Sequence, residues 1–251
     1  MTRIIILAAG KGTRMNSDLP KVLVPLNGRP IIKYLLDGVV KSGVDEKPII
    51  VVSLDNQKII QEALKEYQLE YVIQKEQLGT GHAVSCARSV FEKENNYPDK
   101  IVVLYGDHPF LQDISIKKLS NLQPETLAIV PVKLPDYQGW HINFYHWGRI
   151  IRKEDDGVAK IIEFRDASKD EKEIKEVNSG FMCFNTAWLF SHIDRLQNDN
   201  SQKEYYLTDM AKISFIEKKK IGTMVIEAKE AMGINSPEEL VIAENLLANI
   251  K

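Results

Sequence analysis

Two glycines, a lysine and an arginine follow an apolar run in "IIILAAGKGTRM", residues 4–15. Glycines let a backbone approach an anion closely, and successive N–H groups in a turn form an anion-binding concavity. Arg14 adds a planar fork that can clamp oxyanion oxygens in pairs. The spacing is not the G-x-x-x-x-G-K-[ST] phosphate loop. Nor is it the dinucleotide fingerprint, because Met15 stands where a third glycine is required. Two readings remain for Gly10 and Gly12: a phosphate cradle, or a plain strand-to-helix turn whose glycines serve geometry alone. Lys21 follows in "SDLPKVLVPLNGRP", residues 17–30, held extended by Pro20. A lone lysine is ordinarily a solvated charge. In the company of Gly10, Gly12 and Arg14 it becomes a second cation for the same phosphates.

Short β-branched runs must carry these residues. Strands are expected at 3–9, 48–53, 100–106, 127–133 and 223–228, and helices at about 30–42, 56–67, 80–93, 113–122, 186–197, 205–219 and 237–250. This alternation predicts an α/β fold, a mostly parallel Rossmann-like sheet with helices on both faces. The near-continuous apolar strands fit burial on both sides. Ligands of such sheets sit at the carboxyl ends of the strands, where the loops after 3–9 and 100–106 lie. Between 136 and 184 the rhythm changes. "HINFYHWG", "VAKIIEFRD" and "VNSGFMCFN" read as strands of a smaller antiparallel lobe, interrupted by the charged "DASKDEKEIKE".

The 251 residues are enough for one large α/β domain without staples. A formal net charge of −2 argues against nucleic acid as a partner. No stretch approaches the 18 or more apolar residues of a membrane span, so no membrane partner is expected. The start leads straight into a strand, unlike a signal peptide, and the expected compartment is the cytoplasm. Cys86 and Cys183 lack C-x-x-C spacing and are expected as buried, reduced thiols. The run Lys218-Lys219-Lys220 reads as a solvated helix end.

"LAAGKGTRM" followed by "LPKVLVPLNGRP" resembles the sugar-1-phosphate nucleotidyltransferases, and most closely the uridyltransferase domain of bacterial UDP-N-acetylglucosamine pyrophosphorylases. The agreement continues in order through "QKEQLGTGHAV" (74–84), "YGDHPFL" (105–111), "WGRI" (147–150), "IIEFRDAS" (161–168), "EVNSG" (176–180), "YYLTD" (205–209) and "GINSPEEL" (233–240). The resemblance implies one nucleotide-diphospho-sugar transferase domain. Residues 1–135 would mainly bind nucleotide, 136–235 would mainly form the sugar-binding lobe, and 236–251 would form a C-terminal helix.

It also implies roles. Ala8, Ala9, Gly10 and Gly12 would meet the triphosphate, with Arg14 and Lys21 as the catalytic cations. Gln74, Gly79 and Thr80 would surround the base, a glutamine amide offering both donor and acceptor to a uracil edge. By itself "GTG" is equally a helix-start turn with Thr80 as cap. Asp107 and Asn235 would hold Mg²⁺, the one cofactor implied. A carboxylate is a hard oxygen ligand, although Asp-x-Pro is also a common turn. Ser236-Pro237-Glu238-Glu239 looks like a helix start that would fix Asn235 just before it. Gly148, Glu163 and Asn178 would contact the sugar, and Ser179 keeps a hydroxyl where threonine is usual.

The implied reaction joins an NTP to a sugar 1-phosphate, giving an NDP-sugar and pyrophosphate, with UTP and N-acetylglucosamine 1-phosphate as first substrates. Thymidylyl, guanylyl or cytidylyl transfer to another sugar or alcohol phosphate is the alternative, and a non-catalytic nucleotide-sugar sensor lies further off. The chain departs from the resemblance at His108 and Phe110, where valine and leucine are usual. It departs again in "GINSPEEL" and in the longer aromatic segment "DYQGWHINFYHWG" (136–148), which reads either as a sugar pocket or as core packing. No hexapeptide repeat is present, so acetyl transfer is not expected.

Overall fold

A computed structural model describes residues 1–200 and 202–248. The first strand explains the architecture. In β1 (Thr2–Leu7) successive side chains point to opposite faces. Ile4 and Ile6 join one buried cluster, and Ile5 and Leu7 join another. A strand apolar on both sides requires a covered sheet.

The chain continues through a two-residue hairpin, β2 (Pro25–Leu26) and β3 (Arg29–Pro30), into α1 (Ile31–Ser42). Asn27 and Gly28, at φ 47° and 79°, make the left-handed turn that a hairpin of this length needs. Then follow β4 (Ile49–Ser53), α2 (Gln57–Ala63), β5 (Glu70–Gln74), α3 (Thr80–Cys86), α4 (Arg88–Glu94), β6 (Lys100–Tyr105), α5 (Asp113–Asn121) and β7 (Leu127–Lys133). The second half supplies β8 (Arg149–Arg152), β9 (Val158–Ile162), the single turn α6 (Lys169–Lys172), β10 (Glu176–Asn185), α7 (Thr186–His192), α8 (Asp209–Ile216), β11 (Gly222–Thr223) and α9 (Pro237–Ala248).

The main sheet runs β11-β7-β10-β6-β1-β4-β5. Its pairings are parallel except around β10, which lies antiparallel between β6 and β7 and also pairs with β8 of the β8–β9 hairpin. This is the α/β class expected, a mostly parallel sheet with a smaller antiparallel part. A third cluster, including Leu26, Phe110, Ile234 and Ala243, packs α9 against the hairpin.

Several expected elements change. β5 was not anticipated, because "EYVIQ" is an edge strand with polar residues interleaved and only Val72 and Gln74 buried. The strand expected at 223–228 shrinks to Gly222–Thr223 and one bridge from Ile226 to Val132. "HINFYHWG" is not a strand: Gly139–Phe144 forms a 3₁₀ helix. Trp140, Phe144 and Trp147 recur at the i, i+4, i+7 spacing of a helical face, so the period there is helical. The helix expected from 205 starts only at Asp209. Ahead of it, Tyr205 N–H donates to Leu78 O at 2.7 Å and Leu207 N–H to Thr80 Oγ1 at 2.9 Å, so those donors are spent outside any helix. The end of the last expected helix, at 249–250, and the remainder of the 236–251 segment lie outside the described residues.

Candidate active site

The carboxyl ends of β1, β4, β5 and β6 open into a cleft of about 1090 Å³. At its floor the loop after β1 is anchored by two carbonyls. Asn56 Nδ2 donates to Ala8 O at 2.9 Å, and Gln77 Nε2 to Ala9 O at 2.6 Å. Gly12 is left-handed at φ 62°, and a Cβ there would lie 2.5 Å from the Cβ of Lys21. Gly10 is the converse, because nothing lies within 4 Å of where its Cβ would be. That side of the backbone is open to a ligand. Arg14 is exposed at the rim and, among the described residues, forms no ion pair.

Lys21, expected as a second cation beside the loop, is held by two oxygens. Its ammonium bridges Asp107 Oδ2 and Asn235 Oδ1, the latter at 2.8 Å. The two oxygens thus converge on the Lys21 ammonium although 128 residues separate them in the chain. A backbone bond brings them together, Ile234 N–H to Asp107 O at 3.0 Å. The start of α9 then fixes Asn235. Ser236 Oγ accepts from Glu239 N–H at 3.3 Å, and the Glu239 carboxylate reaches back to Asn235 N–H at 2.5 Å. The Ser236 half of the expected helix start forms in place, while the Glu239 carboxylate returns to Asn235 N–H rather than to that of the cap residue. An all-oxygen pair already closed around a positive charge fits a hard divalent cation such as Mg²⁺.

Burial alone would raise the Asp107 carboxyl. The Lys21 ammonium and His108 outweigh it and hold the carboxyl well below the usual range, so Asp107 is ionised. His108 Nδ1 lies 2.9 Å from Asp107 Oδ1.

On the opposite wall, Gln74 is buried and its Nε2 lies 3.0 Å from Gly79 O and 3.1 Å from His82 Nδ1. A carbonyl only accepts, so this contact fixes the amide and leaves Oε1 as its remaining acceptor. Gly79, at φ 103°, is packed against residues 204 and 205, where a Cβ would come within 2.7 Å of Tyr205 O. Thr80 caps nothing; its hydroxyl serves Leu207 instead.

Gly148, Glu163 and Asn178 do not line this cleft but meet one another beside it. Asn178 N–H donates to Gly148 O at 2.9 Å, and the Glu163 carboxylate oxygens come within 3.6 Å of where a Gly148 Cβ would be. Glu163 is reached by solvent, yet crowding by surrounding atoms lifts its carboxyl pKa, with Asp209 and Asp166 adding to the effect. Tyr105 joins the two sides. It lines the cleft, and its phenol is pushed up by burial and by the neighbouring Asp107 and Glu163 charges. Gly180 leaves room for its ring, which a Cβ would meet at 3.0 Å.

Of the aromatic segment, Phe144 is fully buried and stacks edge-on with Trp140 and Trp147, so core packing accounts for it. Sequence reasoning missed Gln77, Tyr105, Arg165, Gln202 and Glu204 as lining residues. Gln77 and Tyr105 stand inside the stretches quoted above. Arg165 also stands inside a quoted stretch, "IIEFRDAS", whereas Gln202 and Glu204 arrive from a distant segment and carry no local signal.

Residues 4–206 match the family model described as a MobA-like NTP transferase domain. The chain is 36% identical over 248 residues to the bifunctional protein GlmU of Clostridium beijerinckii, covering 98% of this chain and 52% of the relative. The corresponding protein of Caldicellulosiruptor saccharolyticus is 38% identical over 244 residues, covering 97% and 51%. That of Clostridioides difficile is 39% identical over 249 residues, covering 98% and 51%. The chain spans about half the length of the curated relatives it matches.

Proposed function

This chain belongs to the MobA-like NTP transferase domain family, and on that premise we propose that it transfers a nucleotidyl group from an NTP to a sugar 1-phosphate, with UTP and N-acetylglucosamine 1-phosphate as its substrates. The observation that carries the reading is the convergence of Asp107 and Asn235 on one cation at the mouth of the Gly10–Arg14 loop. The sugar phosphate oxygen attacks the α-phosphorus, the bond from that phosphorus to the bridging oxygen breaks, and pyrophosphate leaves. An ionised phosphate needs no general base, so the residues act by position and charge. Gly10 and Gly12 admit the triphosphate to the backbone, and Arg14 and Lys21 neutralise its oxygens. Asp107 and Asn235 hold Mg²⁺, which when bound supplies charge neutralisation at the phosphates.

The Gln74 acceptor fits uracil, and equally thymine, rather than cytosine. The N3 of uracil carries a hydrogen and can donate to Oε1, whereas cytosine presents an acceptor there. Gly148, Glu163 and Asn178, with Tyr105 between them and the nucleotide side, form the sugar wall in this reading.

Pyrophosphate release measured with four NTPs and a panel of sugar 1-phosphates tests the reading. UTP with N-acetylglucosamine 1-phosphate is expected to turn over fastest, and the Asp107→Ala variant to lose on the order of 10²–10³ in kcat while remaining folded. Release with no pair of substrates would favour a nucleotide-sugar sensor, and near-normal turnover in the variant would remove Asp107 from the metal site.

A further inference from the structure

His108 is only 7% exposed at the end of β6, where an imidazole costs free energy unless its nitrogens or its ring faces are used. Its Nδ1 lies 2.9 Å from Asp107 Oδ1. An ionised carboxylate only accepts, so Nδ1 carries the hydrogen and donates. The ring is held on its other sides. It stands edge-on to Phe181 with centroids 4.9 Å apart, and Tyr105 and Trp147 flank it at 5.7 and 6.4 Å. Gly233 makes the space for it, since a Cβ at that position would meet Nε2 at 2.9 Å.

Terminal carboxylate torsions are broad, so Asp107 needs an outside contact to fix the plane in which its second oxygen faces the cleft. With Oδ1 occupied by His108, Oδ2 faces the ammonium that Asn235 Oδ1 also contacts. We propose that His108 is a positioning residue for the cation site, its Nδ1–H holding the Asp107 carboxylate so that Oδ2 points to the place it shares with Asn235. The proposal rests on the reading that Asp107 and Asn235 bind Mg²⁺.

The test is titration with Mn²⁺ alone, without nucleotide, followed by water-proton relaxation. His108→Leu keeps the volume and removes the donor; its Mn²⁺ dissociation constant is expected to rise about tenfold or more. His108→Asn places an amide N–H near the Nδ1 position and is expected to stay within about threefold of the parent protein. In Mg²⁺-dependent turnover, the leucine change is expected to raise the KM for Mg²⁺ more than it lowers kcat at saturating metal. Unchanged Mn²⁺ affinity in His108→Leu, or equal losses in the leucine and asparagine variants, would overturn the proposal. Should His108→Leu not fold, His108→Gln replaces it, because that amide overlays Nε2 and cannot reach Asp107 Oδ1 in the same way; affinity kept in Asn and lost in Gln supports the proposal, and equal affinities overturn it. Asp107→Ala and Asn235→Ala separate the two readings. If both bind Mn²⁺ like the parent, the metal site itself is elsewhere; if both lose it while His108→Leu does not, only the role of His108 fails.

Discussion

Gly10 and Gly12 are two residues apart and answer to different forces. At Gly12 the backbone is left-handed and Lys21 lies against it, so an added methyl meets both strain and a clash. The left-handed cost alone is about 1–2 kcal/mol. Gly12→Ala is therefore expected to lower the melting temperature and to displace Lys21, costing on the order of 10² in kcat/KM. Gly10→Ala meets nothing, so its melting temperature is expected to match the parent's while the KM for the nucleotide rises. Thermal melts and steady-state kinetics on the two variants read this contrast directly. Both glycines were legible as a motif. That they do separate jobs was not, because the difference lies in where Lys21 passes.

Cys183 shows a second residue-scale effect. It is fully buried in β10 and its thiol is pushed up to about 12 by burial. The folded state thus holds this proton more tightly than the unfolded chain, whose thiol titrates near 8.5. The stability it contributes is fully present below about pH 8.5 and is lost as pH rises towards 12. Native protein at pH 8 is expected to resist alkylation by iodoacetamide at Cys183, as read by mass spectrometry. Cys86 is only half-buried, contrary to the burial expected of both cysteines.

Among the elements, β8 and the 3₁₀ segment before it depend on Arg149. This arginine is fully buried, and its guanidinium donates to the carbonyls of Tyr145, Trp147 and Lys172 while lying over the rings of Tyr137, Tyr145 and Phe164. Arg149→Met would leave three part-buried carbonyls without their donor at about 1 kcal/mol each, so a loss of about 3 kcal/mol is expected in urea unfolding. Because Gly148 is the adjacent residue, the KM for the sugar phosphate is expected to rise more than that for the nucleotide. The sequence stretch "WGRI" pointed to this place through resemblance. Its clamp was not readable, since the aromatic rings that surround Arg149 come from residues 137–164 and only the fold assembles them.

For the whole molecule, the sheet was legible where strands are buried on both faces, as in β1, β4, β6 and β7. It was illegible at the edges, where β5 alternates and β11 shrinks to two residues. The site divides in the same way. The opening loop was legible from its glycines and cations behind a strand end and Lys21 from its company with them, while Asp107 and Asn235 were pointed to through the resemblance. Tyr105 is visible only once the cleft and the group of Gly148, Glu163 and Asn178 are brought together around it. Among the described residues no helix is long and apolar enough to cross a membrane.

The tie between residues 78–81 and 205–207 has a consequence for how the chain comes to be folded. Tyr205 N–H meets Leu78 O, Gly81 N–H meets Tyr205 O, and Leu207 N–H meets Thr80 Oγ1. These bonds close a loop of more than a hundred residues, and loop-closure entropy must be met before such contacts add stability. During synthesis the "GTG" turn stays without these partners until the chain has grown past residue 207. The cleft is thus among the last parts of the molecule to become complete, and a shorter chain carries the motif without its fastening.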